Sequence, residues 1–132
     1  MTWALDTNVL VRYIAQDDKR QAAVASRFIE QELSPVRPGF ITLVTLLETI
    51  WVLEGRYGLE RVPLCDLLDD LLATASLEVD EAPAVRQAIA QYRNPGVDFH
   101  DALIATLATA RGAQAVTFAA KASKRLGMRL LV

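Results

Sequence analysis

The chain has 132 residues, of which 52% are hydrophobic, and a formal net charge of -2 at pH 7. This length suffices for one domain that folds without disulfides or structural metal ions, because it can bury roughly two-thirds of the surface that the unfolded chain exposes. The single cysteine, Cys65, cannot form an internal disulfide, and no apolar stretch approaches the ~20 residues of a membrane helix. With no secretion signal pattern, we expect one cytoplasmic domain over residues 1–132 and no membrane contact.

Short apolar runs alternate with helical patterns along the whole chain. In chain order they predict a strand at 2–5, helices at 8–15 and 19–33, a strand at 38–41, helices at 43–53 and around 64–72, a strand at 77–79, helices at 83–92 and 98–111, a strand at 115–118, a helix at 119–126 and a strand at 128–132. Strands that alternate with helices favour an α/β fold, in which right-handed crossovers place helices on both faces of a parallel sheet.

Two groups of acids, far apart in sequence, stand out. Asp6 follows the first predicted strand, and Asp98 and Asp101 open a predicted helix some ninety residues later. Because open α/β folds bind ligands beyond the carboxyl ends of their strands, we expect these carboxylates to converge there. Carboxylate oxygens are hard ligands that suit Mg²⁺ or Mn²⁺.

Each acid also has a purely structural interpretation. Asp6 or a neighbour could cap the first helix. Asp98 could cap the helix at 98–111, where Asp101 would lie favourably near the positive end of the helix dipole. Glu48 has the spacing of a capping box with Thr45. Yet Glu48 lies in a segment that is apolar almost all round, where we expect it to be buried and to need a partner such as a divalent cation.

The charge is unevenly distributed at the end of the chain. No acid follows Asp101, whereas five basic residues do, namely Arg111, Lys121, Lys124, Arg125 and Arg129. A basic segment beside an acidic cluster could bind phosphates, although a solvated helical face explains any one of these residues equally well.

Three motifs together resemble the PIN-domain family, and in particular the VapC-type toxin ribonucleases of toxin–antitoxin pairs. Leu5-Asp6-Thr7-Asn8-Val9-Leu10 is similar to the opening motif of the family, Leu47-Glu48-Thr49-Ile50-Trp51-Val52-Leu53 to its glutamate helix, and Asp98-Phe99-His100-Asp101-Ala102-Leu103-Ile104-Ala105 to its third signature. The resemblance covers the whole chain, with the motifs in order and at fitting distances.

The resemblance implies a three-layer α/β/α PIN-like domain with a central parallel sheet of four or five strands. It also implies a Mg²⁺- or Mn²⁺-dependent endoribonuclease, usually a homodimer, that an antitoxin protein inhibits. The implied metal-site acids are Asp6, Glu48, Asp98 and Asp101, with Thr7, Asn8 and Thr117 at polar positions beside them. The helix at 43–53 and the leucine stripe at 64–72 are candidates for dimer or antitoxin contact, with core packing expected for most of their residues.

One position departs from the family pattern and leaves other functions open. Many relatives carry a fourth acid after the strand that ends here in Thr117-Phe118, where this chain has Ala119. The domain could therefore be a catalytically weak or silent module that binds RNA or an antitoxin. An aspartyl-nucleophile phosphatase is a third possibility, because an apolar strand that ends in Asp6 suits that chemistry, although Asn8 stands where such enzymes usually carry a second Asp.

Overall fold

The computed structural model describes residues 2–132. The chain divides into two compact units, one that extends to Asp80 and one formed by Glu81–Val132. We call them the N-terminal unit and the C-terminal unit. The expected single domain over 1–132 stays a prediction.

The N-terminal unit alternates strands and helices as the sequence predicts. Its elements are β1 (Trp3–Ala4), α1 (Thr7–Ala15), α2 (Lys19–Arg27), which continues as a π-helical turn (Phe28–Glu32), β2 (Gly39–Ile41), α3 (Leu43–Gly55), α4 (Arg61–Ala73) and β3 (Leu77–Val79). The strands form one parallel sheet in the order β1-β2-β3. Side-chain oxygens of Asp6, Asp18 and Thr42 cap the first turns of α1, α2 and α3, which explains where these helices begin.

Apolar side chains from both the strands and the helices form the core of the N-terminal unit. Leu10, Ile41, Ile50 and Leu64 have no exposed surface. On α4, Leu64, Leu68 and Leu71 are buried, and the three aspartates of that helix, Asp66, Asp69 and Asp70, are exposed. The leucine stripe therefore serves mainly core packing, and Cys65 beside it is a buried packing residue.

The C-terminal unit contains three helices and two short strands. They are α5 (Ala82–Tyr92), α6 (Phe99–Ala110), β4 (Val116–Thr117), α7 (Ala120–Leu126) and β5 (Arg129–Leu130). Helix α5 packs along α6, and the rings of Tyr92 and Phe99 meet edge to face with centroids 5.7 Å apart. Gly112 and Gly127 have φ values of 70° and 69°, as expected for glycines that end α6 and α7.

The prediction of one sheet with four or five strands is wrong. Within residues 2–132 the five strands form two sheets, a three-stranded one in the N-terminal unit and a two-stranded parallel pair of β4 and β5 in the C-terminal unit. The positions of the strands were predicted correctly, but periodicity carries no information on which strands pair. The three-layer arrangement stays a prediction. None of the described helices is long and apolar enough to cross a membrane.

Candidate active site

Asp6 lies at the turn between β1 and α1. Its side-chain Oδ1 accepts a hydrogen bond from the backbone N–H of Val9 at 3.1 Å, so Asp6 is the N-cap residue of α1. The carboxylate remains exposed. The capping interpretation is therefore confirmed, and it does not exclude a second role, because one carboxylate has several lone pairs and the cap uses one of them.

Glu48 is held from the start of α1. The hydroxyl of Thr7 donates a hydrogen bond to Glu48 Oε1 at 2.5 Å, which joins α1 to α3. Two expectations for Glu48 were wrong. It is exposed rather than buried, and it takes no part in a capping box, because α3 begins at Leu43 and the hydroxyl of Thr42 caps the helix by accepting from Thr45 N at 3.3 Å.

A groove of about 1050 Å³ runs beside Asp6 in the N-terminal unit. Asp6 and Asn8 both lie on its wall, and a role of Asn8 beside a metal stays a prediction. The rest of the wall mixes apolar, basic and acidic side chains, among them Trp3, Phe28, Arg12, Arg20, Asp18 and Glu32.

Asp98 and Asp101 lie together at the start of α6. Asp98 Oδ1 accepts from the backbone N–H of Asp101 at 3.2 Å, which makes Asp98 the N-cap. His100 Nδ1 lies 3.8 Å from Asp98 Oδ1, a contact that becomes an ion pair when the imidazole is protonated. Burial raises the pKa of the Asp101 carboxyl above its ordinary value, the charge of Asp98 raises it further, and His100 acts in the opposite direction.

Both aspartates line a second pocket, of about 220 Å³, in the C-terminal unit. Lys121 and Arg125 of α7 line the same pocket, and so does the methyl group of Ala119. The sequence singled out these two basic residues only as members of a basic tail. Their spacing of four placed them on one helical face, but nothing in the sequence showed that this face meets the acids of α6.

Thr117 shapes the turn that leads into α7. Its hydroxyl oxygen accepts a hydrogen bond from the backbone N–H of Ala119 at 3.0 Å. This local bond fixes the direction in which the chain leaves β4 and therefore the place of Ala119 on the pocket wall. A positioning role for Thr117 follows from this bond, whereas contact with substrate stays a prediction.

The donor atoms in both units are of the type that Mg²⁺ or Mn²⁺ prefers. They are carboxylate oxygens, and at Asp98 and Asp101 two like charges lie close together, which a cation would stabilise. Over residues 2–132, no group of three or more His, Cys, Asp or Glu side chains is arranged to hold a metal ion. Mg²⁺ often takes only one or two protein carboxylates and completes its shell with water and phosphate oxygens, so a pair of carboxylates fits such a site.

Comparison with known proteins identifies the family of this chain. Residues 4–124 match the family model of the PIN domain. The chain belongs to the PIN domain family. A VapC ribonuclease of Aquifex aeolicus (strain VF5) is 24% identical to this PIN domain over 125 residues, which cover 95% of this chain and 92% of that relative.

The matched range of the PIN domain contains every residue predicted for the site. Asp6, Glu48, Asp98 and Asp101 fall within residues 4–124, as do Thr7, Asn8 and Thr117. The resemblance drawn from three short motifs is thereby confirmed at the level of the family. The roles of the individual residues stay predictions.

Proposed function

We propose that this chain is a Mg²⁺- or Mn²⁺-dependent endoribonuclease and the toxin of a VapBC-type toxin–antitoxin pair. Membership of the PIN domain family and similarity to a VapC ribonuclease support this proposal. The observation that carries it is the presence of two acids with no capping role, Glu48 in α3 and Asp101 in the first turn of α6. Capping explains Asp6 and Asp98, but it explains neither of these.

In this proposal the metal-ligand acids are Asp6 and Glu48 in the N-terminal unit and Asp98 and Asp101 in the C-terminal unit. Thr7 fixes the rotamer of Glu48 through the 2.5 Å hydrogen bond, and the cap at Val9 fixes Asp6. A bound Mg²⁺ or Mn²⁺ would polarise a phosphoryl oxygen and lower the pKa of a water molecule that attacks the phosphodiester. The protein needs no side-chain nucleophile for this hydrolysis, so buried Cys65 has no role in it.

Cleavage of a labelled RNA by the purified protein tests the proposal, with Mg²⁺, Mn²⁺ or a chelator in parallel. Asp6→Asn should abolish metal-dependent cleavage and still fold, because asparagine caps helices about as well as aspartate does. Asp18→Asn is the matched control, since Asp18 caps α2 in the same way, through a 3.0 Å bond from Gln21 N. Full activity of the Asp6→Asn protein would reject this mechanism.

The antitoxin is proposed to cover the exposed face of α3. Val44 and Trp51 are 74% and 69% exposed, and they share one side of the helix with Glu48. Trp51 is therefore available for contact with a partner rather than packed in the core. A protein that buries these apolar groups would also cover a proposed site acid and so inhibit cleavage.

Co-purification with the product of a small neighbouring gene tests this partner. Trp51→Ser should weaken the complex, whereas Val36→Ser is a suitable control, because Val36 is 89% exposed in the segment between α2 and β2.

We also propose that the chain forms a homodimer in the cytoplasm. Light scattering on the purified protein measures its mass directly, and a mass of one chain at micromolar concentration would reject the dimer.

The runner-up function is a catalytically silent domain that binds RNA or an antitoxin. Ala119 favours it, because this residue contributes no carboxylate to the pocket of Asp98 and Asp101. If the natural protein does not cleave RNA and Ala119→Asp gives metal-dependent cleavage, the silent function is supported. If the natural protein already cleaves RNA, the silent function is excluded.

A further inference from the structure

Two basic side chains of α7 are held in place at the pocket of Asp98 and Asp101. Lys121 and Arg125 are four residues apart and therefore on one face of the helix. Arg125 Nη1 donates to the backbone carbonyl of Pro95 at 3.0 Å. Both side chains also pack on Gly96: a Cβ atom there would lie 3.4 Å from Arg125 Cζ and 3.4 Å from Lys121 Cε. These two side chains are thus fixed against the turn that precedes α6.

The positive charges of Lys121 and Arg125 are not neutralised by ion pairs. Within residues 2–132, no carboxylate lies within 4.0 Å of either charged group, although Asp98 and Asp101 line the same pocket. The bond to Pro95 uses one of the five guanidinium N–H donors of Arg125. The remaining donors and the lysine ammonium are available to an acceptor in the pocket.

We propose that Lys121 and Arg125 form a phosphate-binding pair that holds a backbone phosphate of the RNA beside the acids of α6. A guanidinium suits phosphate because it can donate two parallel hydrogen bonds, and the lysine adds a point charge. At about 220 Å³, the pocket is smaller than the roughly 300–1,000 Å³ of typical small-molecule sites, so it fits a phosphate group better than a whole nucleotide.

The acids in the same pocket favour a phosphodiester over a free phosphate ion. Asp98 and Asp101 repel any anion, and they repel a doubly charged free phosphate more strongly than a phosphodiester with its single charge. The pair therefore favours a polymer backbone over inorganic phosphate. That the polymer is RNA rests on the proposed function.

RNA binding, measured under conditions that prevent cleavage, tests Lys121 and Arg125 separately from the nuclease activity. The probe is a fluorescein-labelled single-stranded RNA of mixed sequence, measured by anisotropy in EDTA over a range of salt concentrations. Lys121→Ala and Arg125→Ala should each weaken binding about fivefold and reduce the slope of log affinity against log salt by about 0.7. Lys124→Ala is the matched control, because Lys124 is exposed on the same helix and does not line the pocket.

Further variants separate charge from folding. Lys121→Arg should retain most of the affinity because the charge stays in place, and Ala119→Asp should lower it by adding a carboxylate to the same wall. Thermal melting of each variant checks that the C-terminal unit is folded. Loss of affinity in Lys121→Ala that Lys121→Arg does not restore, in a protein that melts normally, would contradict a role for the charge.

Three results would overturn the inference. The first is equal affinity and salt slope for Lys121→Ala, Arg125→Ala and Lys124→Ala. The second is displacement of the RNA by millimolar inorganic phosphate at constant ionic strength, which would indicate a small-anion site. The third is unchanged RNA binding together with lost antitoxin binding in Lys121→Ala or Arg125→Ala, which would assign the pair to the antitoxin instead. A protein that binds RNA through the pair but never cleaves it would contradict only the proposed function.

Discussion

Asp6 and Glu48 in the N-terminal unit and Asp101 in the C-terminal unit lie in opposite electrostatic environments. In the N-terminal unit the carboxylates face neutral donors, as Glu48 faces the hydroxyl of Thr7 and Asp6 the N–H of Val9. In the C-terminal unit, Asp101 is partly buried beside the charge of Asp98, and its pKa is raised by burial first and by Asp98 second. The first arrangement fixes side chains at little electrostatic cost. In the second, the charge of Asp98 disfavours ionisation of Asp101, and a bound cation would relieve this repulsion.

The largest expected effect is on cleavage, and it tests whether the two kinds of acid serve one reaction. Glu48→Gln and Asp101→Asn should each lower the single-turnover rate by at least about a hundredfold, because each removes a charge that metal binding needs. Asp70→Asn, an exposed position on α4, should leave the rate unchanged. If only one of the two site variants is inactive, the acids of the other unit have a structural role alone.

The next effect concerns stability. It separates the contribution of the capping hydrogen bond of Asp6 from that of its negative charge. Asp6→Ala should lower the free energy of unfolding by about 1 kcal/mol, because the Val9 N–H loses its acceptor. Asp6→Asn should lower it far less, since the amide oxygen can still accept that bond. Urea unfolding of both variants measures the difference. Equal losses would mean that the negative charge, rather than the hydrogen bond, stabilises the start of α1.

Local sequence signals were enough to predict most helices and strands. Asn94-Pro95-Gly96 and Gly112 follow the ends of α5 and α6, close to the ends predicted for the helices at 83–92 and 98–111, because prolines and glycines act within a few residues. The exposure of Glu48 could not be predicted in this way. Helix α3 is apolar almost all round, so its periodicity does not indicate which side faces solvent, and the structure leaves Val44 and Trp51 exposed there.

Strand pairing and contacts between residues far apart in sequence could not be predicted from these local signals. The strands at 115–118 and 128–132 were predicted in nearly the right places, but their pairing with each other in a separate sheet was not. Strands of two residues contribute few ladder hydrogen bonds, so sequence patterns constrain their partners weakly. The same holds for Lys121, whose contact with the turn at Gly96 joins segments some 25 residues apart.

A smaller effect is the pH dependence that the C-terminal acids impart. A carboxyl whose pKa is higher in the folded than in the unfolded chain binds its proton more tightly when folded. Asp101 has such a raised pKa, so its contribution is absent at low pH and becomes destabilising as pH rises above about 4. In EDTA, Asp101→Asn should therefore melt higher than the natural chain at pH 7, and this difference should shrink towards pH 3.

The smallest expected effect has the opposite sign and comes from the N-terminal unit. The hydroxyl of Tyr57 donates to Asp17 Oδ2 at 2.8 Å and lowers the pKa of that carboxyl, and the charge of Arg12 lowers it further. A lowered pKa stabilises the folded chain above the unfolded value of about 4, and this contribution is lost as pH falls through the folded pKa. Asp17→Asn should melt slightly lower than the natural chain at pH 7, with a difference that vanishes towards pH 3. Melting curves that shift in the same direction for Asp17→Asn and Asp101→Asn would contradict the contrast between the two units, because neutral donors and like charges must change the folded-state pKa in opposite directions.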